Sequence, residues 1–278
     1  MEGAQSRHLG NGETVTQIAI VFITQDDPFY LRVFFEEFVR TCEDRGDVKS
    51  VVIAPAMGKK SLSGLARQMY DFYGPLDFLR VGAKYVLYRL GSKLPRWLRG
   101  ERFFSVEQVC RHYEVPVVHV RDINAPEFIA QLSQWKPDLI VSVAAPQVFR
   151  AQLIGTPRLG CINIHNSKLP KYRGMLPNFW QMLHGEKSVG TTIHRINAGL
   201  DDGEILLQTE TPIEPGESLD SLILRTKRLG AGLMIDMLRQ LRSGEVRVLP
   251  NRKEEATYFT FPTRRDVEEF RRKGYRLL

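Results

Sequence analysis

Short apolar runs alternate with amphipathic segments along the first half of the chain. Four runs rich in β-branched residues predict buried strands at Gln17–Ile23, Val48–Ala54, Pro116–Val120 and Asp138–Val143. Apolar residues at helical spacing predict helices at Pro28–Asp44, Ser105–Tyr113 and Pro126–Trp135. Strands that alternate with helices imply right-handed crossovers and a mostly parallel sheet. Such a sheet binds ligands beyond the carboxyl ends of its strands.

The second half adds a fifth strand, a short helix, two strands that alternate polar and apolar residues, a long amphipathic helix and a terminal segment. The fifth strand is Leu159–Ile164, the short helix is Pro177–Gly185, and the two alternating strands are Val189–Ile196 and Glu204–Ile213. The long helix is Leu219–Leu241, capped by Ser218 or Asp220, and the terminal segment is Thr257–Leu278. The two alternating strands predict a hairpin, and the terminal segment predicts a short extended piece and a basic helix. We therefore expect an α/β domain at 17–241, after a flexible leader at 1–16 and before a short extension at 242–278.

The turn after the first strand, Thr24–Pro28, lacks the glycine patterns that bind phosphate. Asp26 and Asp27 would repel a phosphate there, although either carboxylate could cap the next helix. The sequence therefore argues against a dinucleotide cofactor or a P-loop nucleotide.

Composition places the chain among soluble globular proteins. It has 278 residues, 43% of them hydrophobic and 26% charged. The first residues contain no apolar signal segment, and no run approaches the ~18 apolar residues that span a bilayer. Cys42, Cys110 and Cys161 have no metal-binding spacing. We expect reduced thiols, no metal and a cytoplasmic protein.

The formal net charge of +7 is concentrated in two segments. Seven Lys/Arg and one Glu lie between Arg80 and Arg102, and six Lys/Arg and three acids lie in Thr263–Leu278. Basic patches of this kind suit anionic partners, but they are also common on solvated faces.

Asn163 and His165 stand out because they are polar residues at the end of an apolar strand. Their spacing puts both side chains on the same face of the strand. An amide can donate to a developing oxyanion, and an imidazole can move a proton near neutral pH. Asp201 or Asp202, in a loop between Gly199 and Gly203, could supply a carboxylate to orient the imidazole. These groups suit acyl transfer to an amine.

The spacing Asn-x-His alone is a weak signal, because such pairs more often cap strands or form hydrogen bonds in a core. We interpret His184 as a surface helix residue and His194 as a strand residue, neither with a catalytic role.

A longer pattern surrounds this pair. Cys161–Gly174 reads CINIHNSKLPKYRG, Pro177 follows, Gly190–His194 reads GTTIH, and Gly199–Ile205 reads GLDDGEI. This order resembles the folate-dependent formyltransferase family, which includes methionyl-tRNA, glycinamide ribonucleotide and nucleotide-sugar formyltransferases. The likeness covers roughly 17–241.

The resemblance implies a Rossmann-like, mostly parallel sheet without a nucleotide, and Asn163, His165 and Asp201 as catalytic residues. It also implies 10-formyltetrahydrofolate as donor, with no metal. The residues implied to hold the donor lie in two loops: Ala144, Ala145, Pro146, Gln147, Val148, Ile196, Ala198 and Gly199.

Departures from the family members bear on the acceptor. The turn at Thr24–Pro28 lacks the phosphate loop expected for a glycinamide ribonucleotide, and 242–278 is too short for a tRNA-binding barrel. We therefore expect a small amine, an amino sugar or a nucleotide-linked one, and no nucleic acid. The alternatives are a formyl-folate hydrolase, a carbamoyl-type transferase, a methionyl-tRNA formyltransferase-like enzyme or a non-catalytic homologue.

The segment 57–104 is where the likeness is weakest. Leu62–Phe72 and Leu76–Leu90 predict amphipathic helices, with Leu79, Ala83, Val86 and Leu90 on one stripe. One hypothesis is a wall over the acceptor site, with Arg89, Arg96 and Arg99 meeting an anionic group. A second is contact of 76–102 with an anionic membrane. A third is a solvated hairpin packed on the core or on a second subunit, so a homodimer stays open.

Three basic residues, Lys168, Lys171 and Arg173, lie in the loop that follows the pair Asn163 and His165. Lys171 and Arg173 are therefore further candidates for substrate binding, although both also suit an exposed loop.

Overall fold

The computed structural model describes residues 17–43, 47–55 and 62–278. The leader expected at 1–16 and the start of the 57–104 segment lie outside the described residues. In chain order the elements are β1 (Ile20–Gln25), α1 (Leu31–Thr41), β2 (Val48–Ala54), α2 (Leu62–Gly91), α3 (Arg96–Arg99), α4 (Val106–His112), β3 (Val117–His119), α5 (Pro126–Trp135), β4 (Leu139–Val143), α6 (Ala151–Ile154), β5 (Cys161–His165), β6 (Arg173–Gly174), α7 (Pro177–Leu183), β7 (Ser188–Arg195), β8 (Ile205–Pro212), α8 (Leu219–Ser243), β9 (Tyr258–Phe259) and α9 (Arg264–Arg272).

Seven strands form one sheet in the order β3-β2-β1-β4-β5-β7-β8. The first five are parallel, which confirms the crossovers expected from alternating strands and helices. β7 runs antiparallel to β5, and β8 antiparallel to β7, which confirms the predicted hairpin. At the start of β8 the backbone of Ile205 exchanges two hydrogen bonds, of 2.9 and 2.8 Å, with Leu249.

Both faces of the sheet are covered, because a parallel sheet buries apolar residues on each side. On one face Phe22 of β1 meets three phenylalanines of α1, and its ring centroid is 4.9 Å from that of Phe38. On the other face Phe128 and Leu132 of α5 pack in a second core cluster.

α1 begins at Leu31, later than the predicted Pro28. The carboxylate of Asp27 accepts the backbone N–H groups of Phe29 and Tyr30, at 2.6 and 3.0 Å, and so holds a turn before the helix. Ser218 provides the cap of α8, since its hydroxyl accepts the N–H of Ser221. Asp220, the alternative cap, instead accepts the Tyr30 hydroxyl at 2.7 Å and so joins α8 to the start of α1.

The two helices predicted in the insertion are the two arms of α2, which is kinked at Gly74 (φ 71°) before Pro75. Glycine adopts this positive φ without the penalty that a side chain would add. In the part of the chain that the structure describes, no helix is long and apolar enough to cross a membrane.

The C-terminal segment packs on the rest of the chain. β9 pairs with β6, which lies inside what the sequence indicated as a polar loop. The ring of Phe270 in α9 stacks on Phe179 of α7, with centroids 4.7 Å apart. This third core cluster also contains Trp180 and Leu222, so α7, α8 and α9 share one interior.

Candidate active site

Asn163 and His165 occupy the carboxyl end of β5. β5 lies between β4 and β7, and the register places Asn163 beside Ser142 on one side and His194 on the other. His165 is buried, at 7% exposure. The predicted pair therefore lies where the parallel part of the sheet meets the hairpin.

Asp201 is brought to this strand by the loop between β7 and β8. That loop leaves β7 after Arg195, opposite Ile162, and returns toward His165 at the carboxyl end of β5. The Asp201 carboxylate then lies 3.8 Å from His165 Nδ1, and the backbone N–H of Gly174 donates to it at 2.9 Å. Asp201, and not Asp202, is the carboxylate next to His165.

Asn251 fixes the loop in this position. Its side-chain N–H groups donate to the carbonyls of Asp201 and Gly203, both at 2.9 Å. Arg173 donates in turn to the Asn251 side-chain oxygen at 2.7 Å. A Cβ at Gly203 would collide with the carbonyl of Arg195, so this turn requires glycine.

His194 is part of the same cluster, although we interpreted it from sequence as a strand residue without a role. Its Nε2 is 3.1 Å from the Asn163 amide nitrogen and 3.6 Å from Asp201. Its Nδ1 faces the carbonyl of Arg195 at 2.8 Å. The signal available in the sequence was the hairpin, since its register sets His194 directly opposite Asn163.

The backbone carbonyls fix the tautomers of both histidines, because a carbonyl oxygen only accepts. His165 Nε2 donates to the carbonyl of Tyr172 at 2.8 Å, so Nδ1 of the neutral ring faces Asp201 as an acceptor. His194 Nδ1 donates to Arg195, so its Nε2 accepts from the amide of Asn163. The second N–H of Asn163 has no partner among the residues that the structure describes, so it can donate to a ligand.

The charges at this cluster follow from burial and proximity. Burial lowers the pKa of His165 below its ordinary value of 6.5, by more than the neighbouring Asp201 raises it. Burial acts to raise the pKa of Asp201, but His165, His194 and the N–H of Gly174 outweigh it and hold that pKa well below 3.8. At neutral pH the cluster holds a neutral His165 beside an ionised Asp201.

The residues implied to hold the donor form two loops that flank the cluster. Ala144–Val148 follows β4, and Gln147 ties it to the preceding loop by hydrogen bonds with Arg121 and Ile123. Ile196, Ala198 and Gly199 lie in the loop of Asp201, where Ile196 N–H bonds the carbonyl of Cys161 at 2.8 Å. One loop begins two residues after Ser142, the neighbour of Asn163 in β4, and the other bonds Cys161, two residues before Asn163. Donor binding by these loops stays a prediction.

The five residues expected to bind substrate do not lie together. Lys171 is exposed and lines a cavity of about 150 Å³ with Lys168 and Glu186. Arg173 is buried and engaged with Asn251, so it supports the loop of Asp201. Arg89 pairs with Asp26 at 2.7 Å in the turn after β1, whereas Arg96 and Arg99 lie on α3. Their role in binding substrate stays a prediction.

Two charged residues near His165 were not singled out as part of the site. Lys227 of α8 lies on the same helix face as Gly230, and a Cβ at Gly230 would contact Ile164, next to His165. Lys227 is close enough to Asp27 and His165 to affect the pKa of each. Burial lowers the pKa of Lys227 and raises the pKa of Asp27. A lysine in an amphipathic helix normally indicates a solvated face, so the helical pattern did not indicate Lys227 as a site residue.

No group of His, Cys, Asp or Glu suited to a metal ion occurs among residues 17–43, 47–55 and 62–278. All three cysteines are free and buried. The candidate chemistry therefore belongs to Asn163, His165, His194 and Asp201.

A Rossmann-like sheet whose carboxyl edge carries an amide, two imidazoles and a carboxylate defines an α/β domain suited to group transfer. The profile of a protein family described as Formyl transferase matches residues 94–238. The chain belongs to this family.

Curated relatives agree with this assignment. A methionyl-tRNA formyltransferase of Kosmotoga olearia is 37% identical over 171 residues, which cover 61% of this chain and 55% of that protein. A methionyl-tRNA formyltransferase of Syntrophus aciditrophicus is 39% identical over 162 residues, which cover 58% of this chain and 52% of that protein. The chain spans about half the length of the curated relatives it matches.

Solved structures share the fold. A glycinamide ribonucleotide transformylase from Symbiobacterium toebii superposes with a TM-score of 0.56 at 19% identity, covering 86% of this chain and all of that one. An N-formyltransferase from Helicobacter canadensis, in complex with folinic acid and dTDP-3-aminofucose, superposes with a TM-score of 0.54 at 14% identity. The match covers 88% of this chain and 71% of that one. At these identities the likeness concerns the fold alone, and it confirms the expected α/β class.

Proposed function

We propose that this chain is an N-formyltransferase that moves a formyl group from 10-formyltetrahydrofolate to the amine of a small amino sugar. The observation that carries the proposal is the convergence of two acceptors, His165 Nδ1 and the Asp201 carboxylate, 3.8 Å apart. That separation is too long for a direct hydrogen bond, and neither atom carries a proton at neutral pH. A donor such as an amine N–H fits between them.

The amine of the sugar is the nucleophile in this proposal. His165 Nδ1 and the Asp201 carboxylate accept its N–H groups and so orient its lone pair toward the formyl carbon. A C–N bond forms between the amine nitrogen and the formyl carbon, and the C–N bond to the folate nitrogen breaks. The amine proton passes to His165 or Asp201 and is returned to the leaving folate nitrogen. No covalent enzyme intermediate is needed, since the amine attacks directly.

Asn163 stabilises the negative charge that develops on the formyl oxygen. One of its N–H groups is held by His194 Nε2, which directs the other toward the substrate side. An amide fixed in advance pays little reorganisation cost as the oxyanion forms. His194 is thus a positioning residue in this proposal.

The donor would lie between Ala144–Val148 and the loop of Asp201, because the first follows β4, whose Ser142 pairs with Asn163, and the second brings Asp201 to His165. The family membership supports this assignment, and the Helicobacter canadensis enzyme of the same fold was crystallised with folinic acid. The residues that bind the donor remain part of the proposal.

An amino sugar fits the absence of a phosphate-binding turn at Thr24–Pro28, where the side chain of Asp27 instead binds backbone N–H groups. The Helicobacter canadensis structure also holds an amino-sugar nucleotide. A methionyl-tRNA acceptor is the second candidate, because the curated relatives cited above are named for that reaction.

Release of tetrahydrofolate in the presence of different amines tests the proposal. Purified protein is mixed with 10-formyltetrahydrofolate and, separately, with amino sugars, nucleotide-linked amino sugars, amino acids and methionyl-tRNA. We expect release that depends on an amino sugar. Release with methionyl-tRNA alone would show that the formyl acceptor is methionyl-tRNA and not an amino sugar. Release without any amine would indicate a hydrolase. Absence of formyl-folate binding would contradict 10-formyltetrahydrofolate as the donor.

Replacing Asn163 tests the oxyanion role. Asn163→Ala is expected to lower kcat by roughly 10²–10³, because one donor to the oxyanion is lost. His165→Ala and Asp201→Asn should also lower kcat, while the exposed His184→Ala serves as a matched control with unchanged kcat. Near-normal turnover by Asn163→Ala would contradict this mechanism.

His194 is tested through its dependence on Asn163. His194→Phe keeps an aromatic ring but frees the Asn163 amide, and we expect kcat to fall on the order of 10-fold. If His194 acts through Asn163, the double variant Asn163→Ala with His194→Phe should have the same kcat as Asn163→Ala alone. Additive losses would instead give His194 an independent role.

A further inference from the structure

The second arm of α2 and the helix α3 carry a row of exposed apolar side chains, which we call the outer stripe. Trp97 is 81% exposed and Leu87 is 61% exposed, although both are large apolar residues. The other members are Leu76, Leu79, Val86, Leu90 and Leu98, together with Leu94 in the turn between the two helices. Contiguous exposed apolar residues of this kind mark interaction surfaces more often than isolated ones do.

The orientation of α2 is fixed by the face opposite the outer stripe. Tyr88 packs against Phe29 and Phe104, with ring centroids 5.7 and 5.5 Å away. Near the kink, Phe72 packs on Phe179, 5.8 Å away. Because these contacts hold the inner face against the domain, the outer stripe cannot turn inward without breaking them.

Basic side chains border the outer stripe, with seven Lys/Arg and one Glu between Arg80 and Arg102. Arg80, Lys84 and Arg89 form ion pairs with Asp77, Asp220 and Asp26. Lys93, Arg96 and Arg102 have no carboxylate within ion-pair distance among the described residues, and all three are exposed. The surface thus combines apolar side chains with uncompensated positive charge.

We propose that the outer stripe docks on an anionic lipid bilayer. Leu and Trp side chains on one face of a helix insert at the headgroup boundary, while bordering Lys and Arg contact anionic headgroups. A symmetric dimer through the same surface is disfavoured, because it would bring two strongly positive segments face to face. The combination of charge and exposed apolar area therefore selects the bilayer over a second copy.

Docking would bring the bilayer to a helix that is itself tied to the carboxyl edge of the sheet. The ion pair between Arg89 and Asp26 ties α2 to the turn after β1, at the same sheet edge as His165. Binding to a bilayer does not require catalysis, so this proposal is independent of the acceptor and donor assigned above.

Vesicle sedimentation tests the proposal without any turnover. The protein is mixed with phosphatidylcholine vesicles, or with the same vesicles containing phosphatidylglycerol, and the bound fraction is measured. We expect binding to the anionic vesicles that weakens with added salt, because surface charge is screened. Lys93→Gln, Arg96→Gln and Arg102→Gln together should weaken it on the order of 100-fold, at the stabilisation expected per basic residue.

The apolar part of the surface is tested with Leu87→Gln, Leu90→Gln and Trp97→Gln together, which should weaken binding at least ~10-fold through loss of apolar burial. Leu229→Gln with Leu249→Gln is the matched control, since both leucines are exposed elsewhere. Thermal unfolding checks that every variant folds. Trp97 fluorescence should shift to the blue on adding anionic vesicles, and Trp97→Phe should remove the shift.

Three outcomes would overturn the proposal. Equal binding to neutral and anionic vesicles would show that anionic lipid is not the partner. Unchanged binding by the apolar triple variant would show that the outer stripe is not the docking surface. A dimer in solution that the triple variant dissociates, without vesicle binding by the wild type, would assign the surface to a second copy.

Discussion

Asp201 contacts both imidazoles of the cluster, and this arrangement determines how the site responds to pH. The carboxylate stays ionised because its pKa is held below 3.8, whereas burial keeps His165 neutral below pH 6.5. Protonation of His165 would remove the acceptor atom at Nδ1. The acid limit of activity therefore depends mainly on this ring.

The acid limb of the kcat profile is expected to have its midpoint below 6.5, the ordinary pKa of histidine. The unfolded chain binds protons more readily than the folded one below pH 6.5, so His165 also makes folding less favourable as the pH falls below that value. The kcat profile and an NMR titration of the ring measure both effects.

Asp201→Asn is the comparison for this prediction. The variant removes the negative charge that raises the pKa of His165, so the ring should titrate at still lower pH. A midpoint at or above 6.5 in the wild type would contradict the assignment.

Sequence patterns predicted part of this cluster for clear physical reasons. Asn163 and His165 were found because a strand alternates with period two and polar residues are out of place in it. Asp201 came from the longer family pattern. His194 was missed because its role depends on strand register, and Lys227 because its partners come from other elements.

The loop of Asp201 is an element whose position depends on a distant residue. Asn251 donates to two of its carbonyls from beyond α8, and Arg173 holds Asn251 in turn. The loop is therefore anchored at Asp201 itself and two residues further on, at Gly203.

Replacing Asn251 should disturb the loop more than the fold. Asn251→Leu leaves the carbonyls of Asp201 and Gly203 without these donors, so we expect a loss of ~1–3 kcal/mol in stability and a lower kcat. Denaturant unfolding and kcat are the measurements. Arg252→Ala, next in sequence and exposed, is the control. If Asn251→Leu retains full kcat, the loop does not need this anchor.

The sequence patterns predicted which helices and strands exist better than they predicted where each begins and ends or which face it buries. The two helices predicted at Leu62–Phe72 and Leu76–Leu90 are present, and the structure joins them through the kink at Gly74 and Pro75. The stripe with Leu79 and Leu90 has helical spacing, but spacing alone does not tell which face meets the domain. β6 could not be predicted, because a strand of two residues has no periodicity and exists only by pairing with β9.

At the scale of the whole molecule, the C-terminal segment is part of the interior. Phe270 is fully buried and stacks on Phe179. The sequence predicted an extended piece and a basic helix here, and both are present as β9 and α9. Composition alone could not reveal that two apolar residues of this basic helix, Val267 and Phe270, complete a core cluster.

Phe270→Ala is expected to lower the free energy of unfolding by ~3–5 kcal/mol, since it removes a buried ring and leaves a cavity. We expect one transition in denaturant, seen alike by tryptophan fluorescence and circular dichroism. Leu229→Ala, an exposed apolar residue of α8, should change stability little. Separate transitions for 242–278 and the remainder would contradict a shared interior.

The backbone bridge between Ile205 and Leu249 also bears on aggregation. β8 is an edge strand, and an edge presents free N–H and C=O groups that can recruit a strand from another molecule. Leu249 occupies those groups at the start of β8, and Glu210 places a charge further along it. This edge is thus protected from intermolecular sheet growth by the same segment that carries Asn251.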